Sequence, residues 1–379
     1  MLAPRFWAVA VLAPLAMHAV PPDFKAHVIA TDLKGGYQVV PHDVNKDGKI
    51  DLIALASGLT DLLWFENPTW GRHVLAAGLK RMINVGVCPG ADAMVVAHEF
   101  ANVPKNSIGV VSVLDPGPDL EAPWRVREID RITTAHRIRC ADIDGSGRGV
   151  FINAPLAGAK ADAPDYRDQI PLVFYRPGEW KREMISDAES GVMHGIFIHP
   201  GAMKRDHIIT ASFLGLHDYS LDKKGRWVRT AFSKGDPAAW PKSGASDVAV
   251  GYLRNTQFLA AIEPWHGNQV AIYMHRRGKW DRNVIDDSLV DGHTIFTADL
   301  DNDGAAEVVA GFRGMGRSVY IYQTVDRKYK RWYRTPLDQG GIAAAACAPA
   351  DLNGDGRIDV ACIGSATTNL KWYENLGKQ

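Results

Sequence analysis

A tryptophan-centred pattern recurs along the chain. In each copy, the aromatic residue is usually followed two positions later by an arginine and five positions later by another apolar residue. The copies begin at Trp70, Trp180, Trp227, Trp280 and Trp332, with a looser copy at Trp124. They lie about 46 to 56 residues apart, which is the size of one four-stranded propeller blade. The repeat therefore indicates a β-propeller.

Short apolar runs precede the copies and are rich in β-branched and aromatic residues. They are bounded by Gly, Pro or Asn, and helical periodicity is almost absent. This pattern predicts an all-β chain in which four consecutive strands make one blade. Examples of the runs are residues 62–65, 172–175, 270–273 and 319–322.

The two ends of the chain each carry part of one blade. Residues 24–29 match residues 70–75 position for position and so form an outer strand, yet no inner strands precede them. Residues 372–375 lie on the third strand of the last blade, which lacks a fourth. Pairing the N-terminal strand with the last blade would close the ring and remove an exposed edge. We therefore predict a seven-bladed β-propeller, a single domain over residues 24–379.

Residues 1–19 predict a secretory signal peptide. Arg5 is followed by an apolar run over residues 6–17 and by small residues around Ala19. Because this run is too short to span a bilayer, export is favoured over membrane anchoring. We expect a secreted or periplasmic protein that is not membrane-spanning.

Charge and cysteine content exclude several classes of partner and site. The chain has 43 Lys plus Arg and 43 Asp plus Glu, and no basic stripe, so nucleic acid is not an expected partner. A small ligand is favoured, and the oligomeric state is left open. The four cysteines lack metal-binding spacing, so we expect buried apolar residues, with a Cys347–Cys362 disulfide as the alternative.

Three turns share the pattern D-x-[DN]-x-D-G-x-x-[DE]. Alternating side-chain oxygens, a glycine and a closing carboxylate suit a hard cation with six or seven oxygen ligands, so we expect structural calcium or magnesium. The alternative is an Asp/Asn turn satisfied by its own backbone. The turns resemble the FG-GAP or VCBS repeats of integrin-type propellers. The candidate ligands are Asp43, Asn45, Asp47, Asp51, Asp299, Asp301, Asp303, Glu307, Asp351, Asn353, Asp355 and Asp359.

A second group of candidate residues lies six positions before the first Asp of each loop, at the opposite end of the inner strands. Because inner strands converge on the propeller axis, these positions predict a ring. Three histidines at one register favour a shared site for zinc or another divalent transition metal, with His136, His194 and His293 as ligands and Asp247 as a fourth ligand or a base. The seven positions are Tyr37, Asn84, His136, His194, Asp247, His293 and Ala345.

The loops between the second and third strands open on the same face. Aromatic and charged residues around a concave mouth suit a small carbohydrate, which uses a stacking platform and directional hydrogen bonds. Residues 157–170 and 233–246 predict a partial lid over this mouth. The candidates on these loops are His98, His217, Glu263, Trp265, His266 and Arg313, and Tyr37 joins them from the ring as a substrate-binding candidate.

The chain also resembles the propeller domain of the aldos-2-ulose dehydratase family. The likeness is carried by residues 292–304, by residues 307–311, by Arg313-Gly314 and by the repeat at Trp280. The resemblance implies a catalytic zinc that polarises a sugar ketone, with His136, His194 and His293 as its ligands and a histidine that moves protons. It makes His98 the candidate acid/base, with Asp247 and Glu263 as alternatives.

The function expected from this resemblance is β-elimination on a keto sugar. A polarised carbonyl stabilises the enediolate formed on deprotonation of the adjacent carbon, and loss of a hydroxyl follows. Arg313 would bind hydroxyls or the developing oxyanion. The expected enzyme is a carbon–oxygen lyase acting on 1,5-anhydrofructose or a related keto-glycoside. The alternatives are a non-catalytic propeller that binds glycans or proteins and a keto-glycoside hydrolase.

Overall fold

The chain folds into seven four-stranded antiparallel sheets, the blades of a β-propeller, as the repeat predicted. The structure is a computed structural model and describes residues 21–88, 92–326 and 328–378. The predicted signal peptide over residues 1–19 lies outside them. Helix in the described residues is limited to two short 3-10 turns, Pro104–Asn106 and Ala202–Lys204. Among these residues no helix has the length and apolar character needed to cross a bilayer.

Each blade runs from an inner strand at the axis to an outer strand at the rim. In chain order the strands are β1 (Asp23–Ala30); β2 (Gly36–His42), β3 (Asp51–Ala56), β4 (Leu62–Glu66) and β5 (Gly71–Ala76) of blade 1; β6 (Asn84–Val87), β7 (Met94–His98), β8 (Val110–Asp115) and β9 (Arg125–Arg131) of blade 2; β10 (Arg137–Ala141), β11 (Val150–Ala154), β12 (Gln169–Tyr175) and β13 (Arg182–Ser190) of blade 3; β14 (Met193–Pro200), β15 (Asp206–Ser212), β16 (Gly215–Leu221) and β17 (Trp227–Ser233) of blade 4; β18 (Asp247–Leu253), β19 (Thr256–Glu263), β20 (Gln269–Arg276) and β21 (Lys279–Asp286) of blade 5; β22 (Gly292–Ala298), β23 (Glu307–Phe312), β24 (Ser318–Thr324) and β25 (Trp332–Gln339) of blade 6; and β26 (Ala344–Ala350), β27 (Asp359–Gly364) and β28 (Leu370–Gly377) of blade 7.

The N-terminal strand closes the ring. β1 pairs antiparallel with β28, so the first strand of the chain is the outer strand of blade 7. His27 lies opposite Trp372, and their rings stack with centroids 4.5 Å apart. This pairing leaves blade 7 with the same four strands as the others, and the closure inferred from the split repeat is confirmed.

The core lies between the faces of neighbouring blades. Ile53 and Trp64 of blade 1 pack with Val96 of blade 2, and equivalent clusters lie between other blades. Because blades cover both faces of the middle strands, these strands are apolar throughout, and every residue of β3, β23 and β27 is buried. The core thus explains why continuous apolar runs, and not alternating ones, mark these strands in the sequence.

The cysteines differ from the expectation of four unbonded buried residues. Cys88 is bonded to Cys140, and Cys347 to Cys362. The Cys347–Cys362 bond joins residues directly opposite each other on β26 and β27, as in the alternative considered above. Cys88 and Cys140 are 52 residues apart in sequence, and only the packing of blade 2 against blade 3 brings them together. Cross-linking a chain segment of this length stabilises the folded state by about 4 kcal/mol in the chain-entropy view.

A carboxylate also links neighbouring blades. Asp130 ends the outer strand of blade 2 and accepts hydrogen bonds from Tyr175 Oη and Arg182 Nε of blade 3, each at 2.7 Å. Burial by itself would raise the pKa of Asp130, but hydrogen bonds from Arg182 and Tyr175 outweigh it and hold the pKa below its usual value. The carboxylate therefore stays charged and connects the two blades.

The same linkage recurs around the ring. It gives a structural role to the arginine of the sequence repeat, since Arg72, Arg182, Arg229 and Arg334 all bind a carboxylate at the end of the preceding blade's outer strand, whereas Arg282 binds Glu263 of its own blade. The further examples are Glu189 with Tyr219 and Arg229, Asp286 with Tyr322 and Arg334, and Asp338 with Tyr373 and Lys371.

We predict that Asp130→Asn lowers the free energy of unfolding at pH 7 by about 1–3 kcal/mol, because it weakens the charged hydrogen bonds of a carboxylate that is only 15% exposed. Because the pKa of Asp130 is lower in the folded protein than in the unfolded chain, its charged carboxylate stabilises the fold at pH values above the pKa of the unfolded chain. This stabilisation is lost as the pH falls through the pKa of Asp130 in the folded protein. The deficit should therefore shrink below about pH 4. Urea denaturation at pH 7 and at pH 3 measures the difference in the free energy of unfolding between Asp130→Asn and the parent protein.

The matched control is Asp115→Asn, which removes an ion pair with Arg125, a side chain that is 74% exposed. Exposed pairs contribute about 0–1 kcal/mol. Equal losses for the two variants at pH 7, or a loss for Asp130→Asn that does not change with pH, would contradict the prediction.

Candidate functional site

Three histidines from three blades meet at one mouth of the axial channel. His194 lies on β14 and His293 on β22, and both are 1% exposed. His266 comes from the loop between β19 and β20 and has a φ of 48°, in the left-handed region. Residues other than Gly adopt this conformation infrequently, and such strain concentrates at functional sites. The His266 N–H donates to Ser246 Oγ, which fixes the loop against blade 5.

The outer nitrogen of each imidazole faces a hydrogen-bond acceptor. His194 Nδ1 lies 3.2 Å from the Ser246 carbonyl oxygen, and His293 Nδ1 lies 2.6 Å from that of Ala345. His266 Nδ1 lies 3.2 Å from Asp291 Oδ1. These acceptors favour a proton on Nδ1, which leaves the lone pair on Nε2 free to bind a metal ion, although Arg313 Nη2 also lies 3.4 Å from His266 Nδ1.

The three side chains are close enough to share a metal ion, and the one nitrogen pair at 3.3 Å has the spacing of a tetrahedral site. Ligand nitrogens of the three side chains lie within 4.8 Å of one another, and His194 Nε2 is 3.3 Å from His266 Nε2. Two nitrogens bonded to one tetrahedral zinc at about 2.05 Å are about 3.3 Å apart. Within the described residues His293 Nε2 is buried and has no hydrogen-bond partner. The three imidazoles therefore could hold zinc or a similar ion.

Burial keeps these imidazoles neutral. Burial first, and then Arg137 for His194 and Arg313 for His293, lowers the pKa of both histidines well below its usual value. Burial, followed by Arg313, lowers the pKa of His266 to about 4, although Asp291 opposes this. Neutral imidazole is the form that binds a metal ion, so the protein does not have to remove protons before binding.

A cavity of about 630 Å³ opens above the three histidines. This volume lies in the range of small-molecule sites. Its walls combine aromatic rings, the guanidinium groups of Arg81 and Arg313, and small residues of blades 1 and 7. The lining residues are Gly35, Gly36, Tyr37, Ser57, Arg81, Ile83, Phe100, Ala101, Asn102, His136, Leu156, His194, Trp265, His266, His293, Arg313 and Ser365.

Tyr37 and His136 form a hydrogen-bonded pair in the wall of this cavity. Tyr37 Oη lies 2.8 Å from His136 Nε2. Burial raises the pKa of Tyr37, and burial followed by Arg137 lowers the pKa of His136 well below its usual value. The phenol therefore keeps its proton and donates it to a neutral imidazole. His136 was predicted to be a metal ligand. In the structure, the histidine that lies with His194 and His293 in a group able to hold a metal ion is His266.

Arg313, Trp265 and Tyr37 lie in the cavity wall, in the neighbourhood that the sequence suggested. Asp291 holds the Arg313 guanidinium through two hydrogen bonds of 3.1 Å and also contacts His266. Sequence reasoning missed Asp291. The residue immediately precedes Gly292-His293, and its position beside an inner-strand histidine was the signal available.

Three predicted loop residues lie away from the lining of the cavity. Glu263 is fully buried within blade 5, where it binds Tyr273 and Arg282, so it is a structural carboxylate. His217 is buried 3.3 Å from Glu189, and His98 lies 3.0 Å from Ser112 Oγ. All three lie on strands, β7, β16 and β19, and not on the loops that the sequence predicted, so their side chains pack within the blades.

Asp247 lies at the inner-strand position from which the ring of residues was predicted, but it does not line the cavity. Its Oδ1 accepts the Val248 N–H, and its backbone packs against Gly195, where an added Cβ would lie 2.8 Å from the Asp247 Cα. Burial raises the pKa of Asp247 to about 6, against the effect of Arg137. Asp247 is thus absent from the group of ligands that the described residues bring together.

The Asp loops lie at the opposite ends of the inner strands. In all three, the first Asp accepts two backbone N–H groups of its own turn, as Asp43 does from Asp47 and Gly48. The degenerate loop of blade 3 makes the same turn through Asp142 without the third and closing carboxylates. The turn conformation alone therefore does not require a cation.

The blade 6 loop has the strongest features of a cation site. Oxygens of Asp299, Asp301 and Glu307 lie within 4.8 Å of one another. Burial, and then Asp301, raises the pKa of Glu307 to about 8. The Lys378 ammonium lies 2.8 Å from Asp301 Oδ2 and supplies positive charge. In blades 1 and 7, the closing carboxylates of Asp51 and Asp359 each accept two backbone N–H groups instead.

Comparisons with known proteins support the fold. The aldos-2-ulose dehydratase β-propeller domain family matches residues 108–276, and the FG-GAP-like repeat family matches residues 299–362. The chain resembles the propeller domain of aldos-2-ulose dehydratase. This similarity, which the sequence analysis inferred from the repeat and the Gly292 segment, is confirmed.

One curated relative is the aldos-2-ulose dehydratase of Phanerodontia chrysosporium, which is 26% identical over 292 residues. The match covers 67% of this chain and 32% of the relative, so the chain corresponds to about a third of that protein. Among solved structures, the WD40 propeller of Doa1 has a TM-score of 0.57 at 11% identity, covering 92% of this chain and 97% of that one. The Dos1 propeller has a TM-score of 0.56 at 10% identity, with coverages of 92% and 83%. These structures support the propeller fold alone.

We predict that His194→Ala, His266→Ala and His293→Ala each weaken transition-metal binding strongly, while His136→Ala keeps it, because only the first three direct lone pairs at one centre. Asp291→Asn should weaken it about 10–100-fold by releasing His266. Cobalt(II) titration of chelator-treated protein, followed by visible absorption, gives the affinities. Loss of binding in His136→Ala with retention in His266→Ala would contradict this assignment.

A separate prediction concerns the blade 6 loop. Calcium should raise the melting temperature of the protein, by the equivalent of about 2.7 kcal/mol at a concentration of 100 times Kd. Asp301→Asn should remove most of the rise, because Asp301 is one of three converging carboxylates. Asp144→Asn, in the degenerate loop of blade 3, is the matched control and should keep it. No shift in the parent protein would show that the loops are turns only.

Proposed function

We propose that this protein is a metal-dependent lyase that removes water from a keto sugar by β-elimination. The observation that carries the proposal is the presence, in one cavity, of three neutral imidazoles aimed at a common centre and a Tyr37–His136 hydrogen bond beside them. The similarity to aldos-2-ulose dehydratase, whose name describes dehydration of a keto sugar, supports the same chemistry.

His194, His266 and His293 would hold the metal ion, which would assist the loss of a proton next to a carbonyl. When bound, a zinc or similar ion supplies Lewis acidity that stabilises negative charge developing on the ketone oxygen. Arg313, fixed by Asp291, would bind a substrate hydroxyl or share that negative charge. The rest of the wall excludes water and orients the ring.

Tyr37 and His136 would move the proton. The substrate carbon gives its proton to Tyr37 Oη while the phenol proton passes to His136 Nε2, 2.8 Å away. Because burial and Arg137 lower the pKa of His136, its protonated form returns the proton readily. Tyr37 then delivers it to the departing hydroxyl, which leaves as water. The products are an enone and water, and the pair ends in its starting state.

Export is part of the proposal. Two disulfides, Cys88–Cys140 and Cys347–Cys362, are typical of proteins that fold in an oxidising compartment. They support the secreted or periplasmic location predicted from residues 1–19. The location also fits a small extracellular carbohydrate as substrate.

The test is incubation of zinc-loaded protein with 1,5-anhydrofructose and with aldos-2-uloses. We predict growth of the ultraviolet absorption of a conjugated enone, because elimination beside a ketone creates that chromophore. Tyr37→Phe should keep the metal and lose about 10²–10⁴-fold in rate, since it removes only the proton-carrying hydroxyl. Tyr252→Phe is the matched control, because Tyr252 is 44% exposed and its hydroxyl contacts His199 away from the cavity.

Full activity in Tyr37→Phe would reject the proton-transfer pair. Sugar binding without turnover on every keto sugar tried would favour the alternative function, a glycan-binding propeller. Absence of both sugar binding and transition-metal binding would reject the proposed site.

A further inference from the structure

A second cavity adjoins the first. It has a volume of about 350 Å³ and is lined by three prolines, three aromatic rings, Ala163 and Lys242. Trp265 lines both cavities, so its ring forms a shared wall, and it directly precedes His266 in the sequence. The smaller cavity is therefore within reach of a ligand extending from the larger one. We refer to it as the proline groove.

Two lid segments build this groove. The segment over residues 157–170 contributes Tyr166, and the segment over residues 233–246 contributes Pro241 and Lys242. The segments contact each other where Trp240 Nε1 donates to the Asp165 carbonyl oxygen at 2.9 Å. Because they lie in blades 3 and 4 and their loops, only the closed ring places them beside the blade 5 loop that carries Trp265.

The aromatic rings of the groove form a fixed platform. Tyr166 packs edge-on against Trp265 with centroids 5.6 Å apart, and Phe213 lies 5.7 Å from Trp265. Tyr166 and Phe213 are both buried members of one apolar cluster. Rings held in this way change little on binding, so a ligand does not have to order them.

The groove also offers polar groups that a purely apolar occupant would leave unsatisfied. Within the described residues, the Tyr166 hydroxyl and the Lys242 ammonium make no hydrogen bond or ion pair with protein. An apolar ligand would strip water from these groups at a cost. A pyranose ring presents C–H groups to an aromatic face and hydroxyls at its edge, and so matches both sets of groups.

We propose that the proline groove binds the second pyranose ring of a glycoside whose keto sugar lies at His194, His266 and His293. This inference rests on the proposed function for the identity of the first ring. It makes the preferred substrate a keto-disaccharide or larger keto-glycoside rather than a free monosaccharide. Trp265, as the wall common to both cavities, separates the two rings and sets the angle between them.

Binding to sugars that cannot react tests the groove independently of catalysis. Isothermal titration of the intact protein with glucose, cellobiose, maltose and trehalose should show at least one disaccharide binding 10-fold or more tighter than glucose. Lys242→Ala and Tyr166→Phe should each reduce that preference, and together should remove it, while glucose affinity stays the same. Both changes are small, and melting curves of the variants verify that they fold.

Three results would overturn the proposal. These are equal affinity for glucose and all three disaccharides, a disaccharide preference that survives in the double variant, and tight binding of 4-nitrophenyl glucoside without any disaccharide preference. The last would assign the groove to an aromatic aglycone. Failure of the enone assay leaves these outcomes unchanged, because none of the four sugars contains the ketone that elimination requires.

Discussion

Closure of the ring is the constraint on which the rest of the molecule depends. A blade by itself exposes two apolar faces, and only a neighbour on each side covers them. The pairing of β1 with β28 completes the last blade, and the carboxylate links between outer strands hold adjacent blades in register. The links through Asp130, Glu189, Asp286 and Asp338 each join a tyrosine and a basic side chain of one blade to an acid on the outer strand of the preceding blade. The ring thus combines nonspecific burial with directional bonds.

The site is a direct consequence of that closure. His194, His266 and His293 are far apart in sequence, and each is placed by a different blade, yet their nitrogens converge. Packing at the axis removes water, which keeps the imidazoles uncharged, while the Ser246 and Ala345 carbonyls and Asp291 fix their tautomers. A set of lone pairs held this close without a positive charge is unfavourable, and a cation would relieve it. The same packing makes the site rigid before any ligand arrives.

Catalysis and specificity are divided between different parts of the propeller in our proposal. The inner strands supply the metal ligands and the Tyr37–His136 pair, which are held by the core. The lid segments of blades 3 and 4 supply the proline groove, which extends from the cavity across Trp265. Loops on a rigid scaffold can change without disturbing the centre below them.

The repeat, the apolar runs and the split outer strand determined the blade number, the strand order and the closure, because each blade repeats one local pattern. The inner-strand register likewise brought His194 and His293 to one end of the axis, since the inner strands of all blades lie around the axis. The path of the blade 5 loop was decided only in the tertiary structure. It turns His266 toward the axis and Glu263 into the blade, and leaves His136 to bind Tyr37. Irregular loops follow no period, and their side-chain directions depend on packing with residues distant in sequence. For the same reason the Cys88–Cys140 disulfide, which joins two blades, was invisible in the spacing of the cysteines.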